Sequence, residues 1–176
     1  MKILNVAVLA FVLTLMSGCA SITSDIIVEA KTAPTADLNG YKSYAWLGKA
    51  ALLKDPGKKW QPPKMNVAGD IKYLIDRELR KKKIFSTVSN PGLAVVFFMG
   101  IDMEAMKLKM DPETKSEMLK NVPAAALVVA LIDAKTELVV WIGKATAELN
   151  ENPSDEVVRE RLDYAVTEMM KKMPKD

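Results

Sequence analysis

The hydrophobic positions of this chain change period several times, and each change marks an element. Residues 3–15 are apolar except for Asn5 and Thr14, with Lys2 before them and the small residues Ser17 and Gly18 after. This is the charged, apolar and small-residue succession of a secretory signal over residues 1–18. Its apolar part is roughly a dozen residues, shorter than the ~20 that a helix needs to cross a bilayer.

Beyond the leader, residues 19–39 are poor in aromatics and read as a tether, with Ile26-Ile27-Val28 as an edge strand within 25–30. Tyr41, Ser43 and Ala45 then alternate with Lys42, Tyr44 and Trp46, the period of two that predicts a strand. Pro56, Gly57, Pro62 and Pro63 make residues 48–64 a loop. From Val67 the period changes: Val67, Ile71, Leu74, Ile75 and Leu79 recur at helical spacing while Asp70, Lys72, Asp76, Arg77 and Arg80 fall largely elsewhere. Ser89-Asn90-Pro91-Gly92 is a turn, and residues 93–103, rich in Val and Phe, form a central strand. Met106, Leu108 and Met110 extend the alternation, and Asp111-Pro112 starts a short helix to about Lys120.

The clearest pattern spans residues 123–149. An apolar run at 124–132, a turn at 133–136 and a strand at 137–148 predict an antiparallel hairpin, in which Val139, Trp141, Gly143, Ala145 and Ala147 share one face. Pro153-Ser154-Asp155-Glu156 opens a second helix with Ser154 as N-cap and acids in the first turn. Its stripe is Val158, Leu162, Ala165, Val166 and Met169, and Lys171 and Lys172 suit its end. The sum is one α+β domain over residues 40–176, an antiparallel sheet of about four to five strands packed against two helices, preceded by the signal and tether.

Charge and composition narrow the function. The 25 basic residues nearly balance 22 acidic ones, which argues against nucleic acid as a partner. Arg80-Lys81-Lys82-Lys83 is the local exception, read as cations on the last turn of a helix, with an anionic lipid or polyanion as the competing use. Histidine is absent, so the commonest general base and nitrogen metal ligand are missing. Among carboxylates, only Asp102 and Glu104 flank an apolar strand, where a solvated strand end explains them. Met99, Met103, Met106 and Met110 supply soft sulfur that suits Cu(I), but methionine also fills gaps in cores, and no metal or cofactor is expected. Trp46 and Trp141 read as core anchors.

The lone cysteine, Cys19, stands directly after Met16-Ser17-Gly18. This string resembles the lipobox of bacterial lipoproteins, although leucine is commoner than methionine at its first position. The resemblance implies that Cys19 carries a diacylglyceryl group and becomes the mature N-terminus; two or more acyl chains give stable anchoring where one does not. A cleaved signal with a free thiol and an uncleaved anchor are the competing readings. Ala20 is not the aspartate that resembles an inner-membrane retention signal, which favours the outer membrane, facing the periplasm.

Residues 41–46 (YKSYAW), the helix over 67–79, Leu131-Ile132-Asp133, the run 140–145 (VWIGKA) and Ala165-Val166 together resemble the bacterial lipoproteins that carry the domain of unknown function DUF4136, over about residues 25–173. Ile142 and Gly92-Leu93 depart from the family pattern. The resemblance implies an envelope location and no established activity. The expected function is non-enzymatic: an anchored domain that binds an envelope protein partner or serves assembly. The alternative is a carrier that shelters an apolar ligand in a cavity lined by Phe97, Val128 and Trp141.

Overall fold

The computed structural model describes residues 22–48, 51–52, 65–100, 107–110, 117–120, 125–147 and 153–174. Their elements are β1 Ile27–Thr32, β2 Ser43–Trp46, β3 Ala51–Leu52, α1 Val67–Lys81, β4 Phe85–Ser86, β5 Leu93–Gly100, β6 Lys107–Met110, β7 Glu117–Lys120, β8 Ala125–Asp133, β9 Val139–Ala147 and α2 Asp155–Lys171.

Both helices begin where the sequence places a side-chain acceptor. Asn66 Oδ1 accepts from Gly69 N–H and Ser154 Oγ from Val157 N–H, each cap contributing about 1 kcal/mol. The end of α1 is set by backbone geometry. Lys83 takes φ 59°, so that its N–H donates to the Arg80 carbonyl and Ile84 N–H to the Leu79 carbonyl, while Ile84 buries itself in the core. Lysine in this left-handed position is a local strain that glycine would relieve.

Six strands form the main sheet in the order β1-β9-β8-β5-β2-β4, and β3 pairs with β5 beside this path. The α+β class is as expected, but the sheet has more strands than expected and is mixed. Pairs β1–β9, β9–β8 and β8–β5 are antiparallel, whereas β2 pairs parallel with both β5 and β4. The reason is α1. Taking the start of β1 as the lower end, β2 descends and α1 carries the chain back up, so β4 and β5 descend again. A separate antiparallel pair joins β6, in the stretch expected to continue the strand alternation, to β7, which occupies residues 117–120 at the end of the expected short helix; residues 111–116 of that expectation lie outside the described residues.

Both helices lie on one side of the sheet and share one core with it, in which Ile71, Ile75, Leu79, Val166, Met169 and Met170 meet Val95, Phe97, Val129, Leu131 and Trp141. They run side by side in the same direction, since Asp70 meets Arg159, Arg77 meets Asp163 and Lys82 meets Met173. Gly143 has a steric role: a Cβ there would lie 2.2 Å from Met169 Cγ and 2.5 Å from Trp141 Cη2. The indole N–H of Trp141 is buried without a hydrogen-bond partner among the described residues, a cost of about 1–3 kcal/mol. The ring is kept for its apolar area.

One irregularity overturns part of the expected alternation. Leu131 faces Trp141 while Ile132 faces Val139, so Val140 is an extra residue in β9. Val140 joins Trp141 in the main core, and Val139 falls on the opposite face, beside Val128, Ala130, Ile142 and Val96.

The stretch expected as tether is largely tied down. The edge strand within 25–30 is β1, residue by residue antiparallel to β9, and Leu38 is buried in the main core. Ahead of β1, the Arg161 guanidinium grips the Asp25 carboxylate with two bonds of 2.6 and 2.7 Å and also donates to the Ile22 carbonyl. Residues 22–39 are thus part of the folded layer.

Candidate functional site

Strand β2 and the residues before it carry two tyrosine–aspartate clamps, spaced so that each serves a different neighbour. Tyr41 donates to Asp133 Oδ2 at 2.6 Å. The other oxygen of Asp133 accepts from the N–H groups of Lys135 and Thr136 and from Thr136 Oγ1, which closes the β8–β9 turn. The Tyr41 hydroxyl and this ring of donors hold the Asp133 carboxyl down at about 2. Burial, and then the adjoining carboxylate, push the Tyr41 phenol up to about 12.

The second clamp lies on the helix face. Tyr44 and Trp46, two residues apart on one side of β2, both donate to Asp76 Oδ1 of α1, and Lys72 pairs with the other oxygen at 2.9 Å. Lys72 Nζ stands 4.9 Å from the centre of the Trp46 ring, close enough for a cation–π contact. Trp46 in turn meets Tyr44 and Phe97 edge-on. Burial, and then the Asp76 carboxylate, raise the Tyr44 phenol well above its usual range. The motif 41–46 is therefore a lock between β2, α1 and the β8–β9 turn.

Between the helices, Arg77 joins Glu78, Asp163 and Thr167, and Lys81 closes on Glu78, whose side chain is otherwise buried. The Arg77 guanidinium holds the Asp163 carboxyl below the ordinary range. Asp133 and Asp163 are thus held ionised, the reverse of what a general acid at neutral pH requires.

The run 80–83 divides by role. Lys81 pairs with Glu78 and Lys82 donates to the Met173 carbonyl, a cation on the end of a helix as expected. Arg80 and Lys83 are exposed and make no ion pair among the described residues. Beside them, at the upper end of β2 and β4, stand exposed Lys42, whose carbonyl accepts from Phe85 N–H, and the apolar side chains of Phe85 and Val88, 55 % and 106 % exposed. The basic end of α1 finishes at this upper end, where the helix packs on β4. The sequence showed the charge run but gave no sign that Lys42, far away in the chain, would join it.

Other candidates are separated or lie elsewhere. Phe97 and Trp141 face the helices while Val128 belongs to the opposite face, so these three do not line one cavity. Met99 packs against the main core, and Met110 ends β6. Cys19, Asp102, Glu104, Met103 and Met106 lie outside the described residues. No helix among the described residues is long and apolar enough to cross a membrane.

The model of the family described as "Domain of unknown function (DUF4136)" matches residues 28–175. Among solved structures, a DUF4136 family protein from Bacteroides thetaiotaomicron is similar at TM-score 0.62 and 10% identity, covering 85% of this chain and 96% of its own. At this identity the likeness speaks for the fold. The PelC dodecamer of Paraburkholderia phytofirmans gives TM-score 0.45 at 13% identity over 82% of this chain and 97% of its own. A PDZ domain protein from Parabacteroides distasonis gives 0.47 at 15% identity over 92% and 40%. A comparison with curated proteins finds no match.

Proposed function

The chain belongs to the DUF4136 family, and on that premise we propose that it is a lipid-anchored envelope lipoprotein whose domain is a non-enzymatic binding module. In this reading Cys19 carries the acyl groups and the domain faces the periplasm from the outer membrane. The supporting observation is the Arg161 clamp: Ile22, three residues after Cys19 in the sequence, and Asp25 are both fastened to α2. An anchor so close to the fold serves a domain held at a surface better than one that diffuses on a long linker. Support for a binding role comes from the polar clusters, whose members are engaged with one another, while uncovered apolar and cationic side chains gather at the β4 corner.

The test is mass spectrometry of the protein from native envelopes beside Cys19→Ala. A diacylglyceryl mass on Cys19, with the Cys19→Ala protein released from the membrane fraction, is the expected result. An unmodified thiol, with both proteins in the soluble fraction, would overturn the anchored reading.

A further inference from the structure

The β4 corner combines three features that are seldom found together on an idle surface. Lys42, Arg80 and Lys83 are exposed and lack ion-pair partners among the described residues, whereas neighbouring Lys81 is matched by Glu78. Beside these cations Phe85 and Val88 are uncovered. The backbone is open as well. Phe85 and Thr87 direct their N–H groups to the carbonyls of Lys42 and Tyr44, so that Ser86 N–H points away from the sheet, and β4 pairs only with β2 among the described residues.

Position decides which anion fits. Strands β1 and β4 are the two edges of the sheet, about 24 Å apart at ~4.8 Å per strand step. Ile22, ahead of β1, is held near the lower end by Arg161 in the first half of α2, and a span of three residues from Cys19 reaches no more than about 11 Å. A domain held at its lower β1 corner presents the upper β4 corner away from the bilayer, beyond the ~8 Å over which the headgroup charge is felt. Hydrophilic polyanions would match the lysines but would leave Phe85 and Val88 wet and Ser86 unpaired. An extended peptide with acidic and apolar side chains meets all three features.

We infer that the β4 corner docks an acidic, extended segment of a protein partner, with carboxylates against Lys42, Arg80 and Lys83, and apolar side chains on Phe85 and Val88. The orientation rests on the anchored reading; the chemistry of the surface does not.

Full-length protein in neutral detergent is titrated into a fluorescein-labelled peptide of alternating Glu and Val, and into a Glu/Ser peptide of the same length. Micelles doped with phosphatidylglycerol serve as competitor. The Glu/Val peptide is expected to bind in a salt-sensitive way, with at least about tenfold weaker binding for Arg80→Glu/Lys83→Glu and for Phe85→Ser. Lys83→Gly separates binding from folding, because it relieves the left-handed residue while removing a cation: the chain should fold at least as well and still bind more weakly. A photoreactive residue at position 88 should give a protein adduct in intact cells that Lys83→Glu abolishes. Equal affinity for the Glu/Ser peptide, displacement by phosphatidylglycerol, or affinities unchanged in the variants would each overturn the inference. The acyl mass of Cys19 in the same preparation reads the anchored premise separately: without it the orientation falls, and the peptide result stands by itself.

Discussion

Replacing Gly143 by alanine asks how tightly the helix layer sits on β9. The new Cβ would lie 2.2 Å from Met169 Cγ, 2.5 Å from Met169 Sδ and 2.5 Å from Trp141 Cη2, closer than side-chain atoms pack. Both neighbours are fully buried, so neither can swing into solvent. At an uncrowded strand position the same change gains about 0.5–1 kcal/mol, because glycine loses the most backbone freedom on folding. Overpacking costs about 1–3 kcal/mol or more, so the sign reverses and a net loss of about 1–2 kcal/mol is expected. For a domain of this size the midpoint should fall by roughly 2–8 °C, read by thermal unfolding followed by circular dichroism. Gly40→Ala is the control, since nothing lies within 4 Å of its Cβ, and it should be neutral or slightly stabilising. Met169→Ala alone should cost about 2–5 kcal/mol, yet in its background Gly143→Ala should become milder by at least about 1 kcal/mol. A Gly143→Ala protein as stable as the wild type, or strict additivity with Met169→Ala, would refute the account.

Three further outcomes follow from the polar contacts. Arg161→Ala should destabilise by about 2 kcal/mol, through loss of charge-assisted bonds to Asp25 and the Ile22 carbonyl, and hydrogen exchange should quicken over residues 22–30 before the helices. Asp133 titrates at about 2 rather than 3.8, so its ionised form lends stability that is complete above pH ~4 and is lost as pH falls towards ~2. Tyr41→Phe removes the largest cause of that depression, and an NMR titration should find the Asp133 carboxyl higher and the acid loss smaller. Arg77→Met removes the charge-assisted bonds to Asp163 and Glu78, though Lys81 still pairs with Glu78, and should cost about 1–2 kcal/mol, whereas Arg159→Ala, at an exposed pair with Asp70, should cost less than about 1 kcal/mol in the same urea titration.

Elements with a single buried face were legible. All five predicted stripe residues of α1 and all five of α2 are buried, and Ser154 caps as expected, because period and cap chemistry are local properties. The β8–β9 hairpin was equally plain. Its bulge at Val140 was not, since an apolar residue satisfies either face until the partner strand fixes the register. The end of the short helix expected after Pro112 is strand at residues 117–120 for a related reason: helix signals at the start do not show that a partner strand, here β6, is available further on.

The sequence by itself determined the two amphipathic helices, the apolar hairpin, the absence of histidine and the family, each carried by neighbouring residues or by composition. Only the tertiary structure decided that β2, β4 and β5 run parallel, that Tyr41 and Tyr44 serve Asp133 and Asp76, and that Lys42 joins Arg80 and Lys83 at one corner. Those relations depend on the direction in which α1 returns the chain and on two helices packing side by side. Such long-range choices are made by burial of the whole core, and no local pattern encodes them.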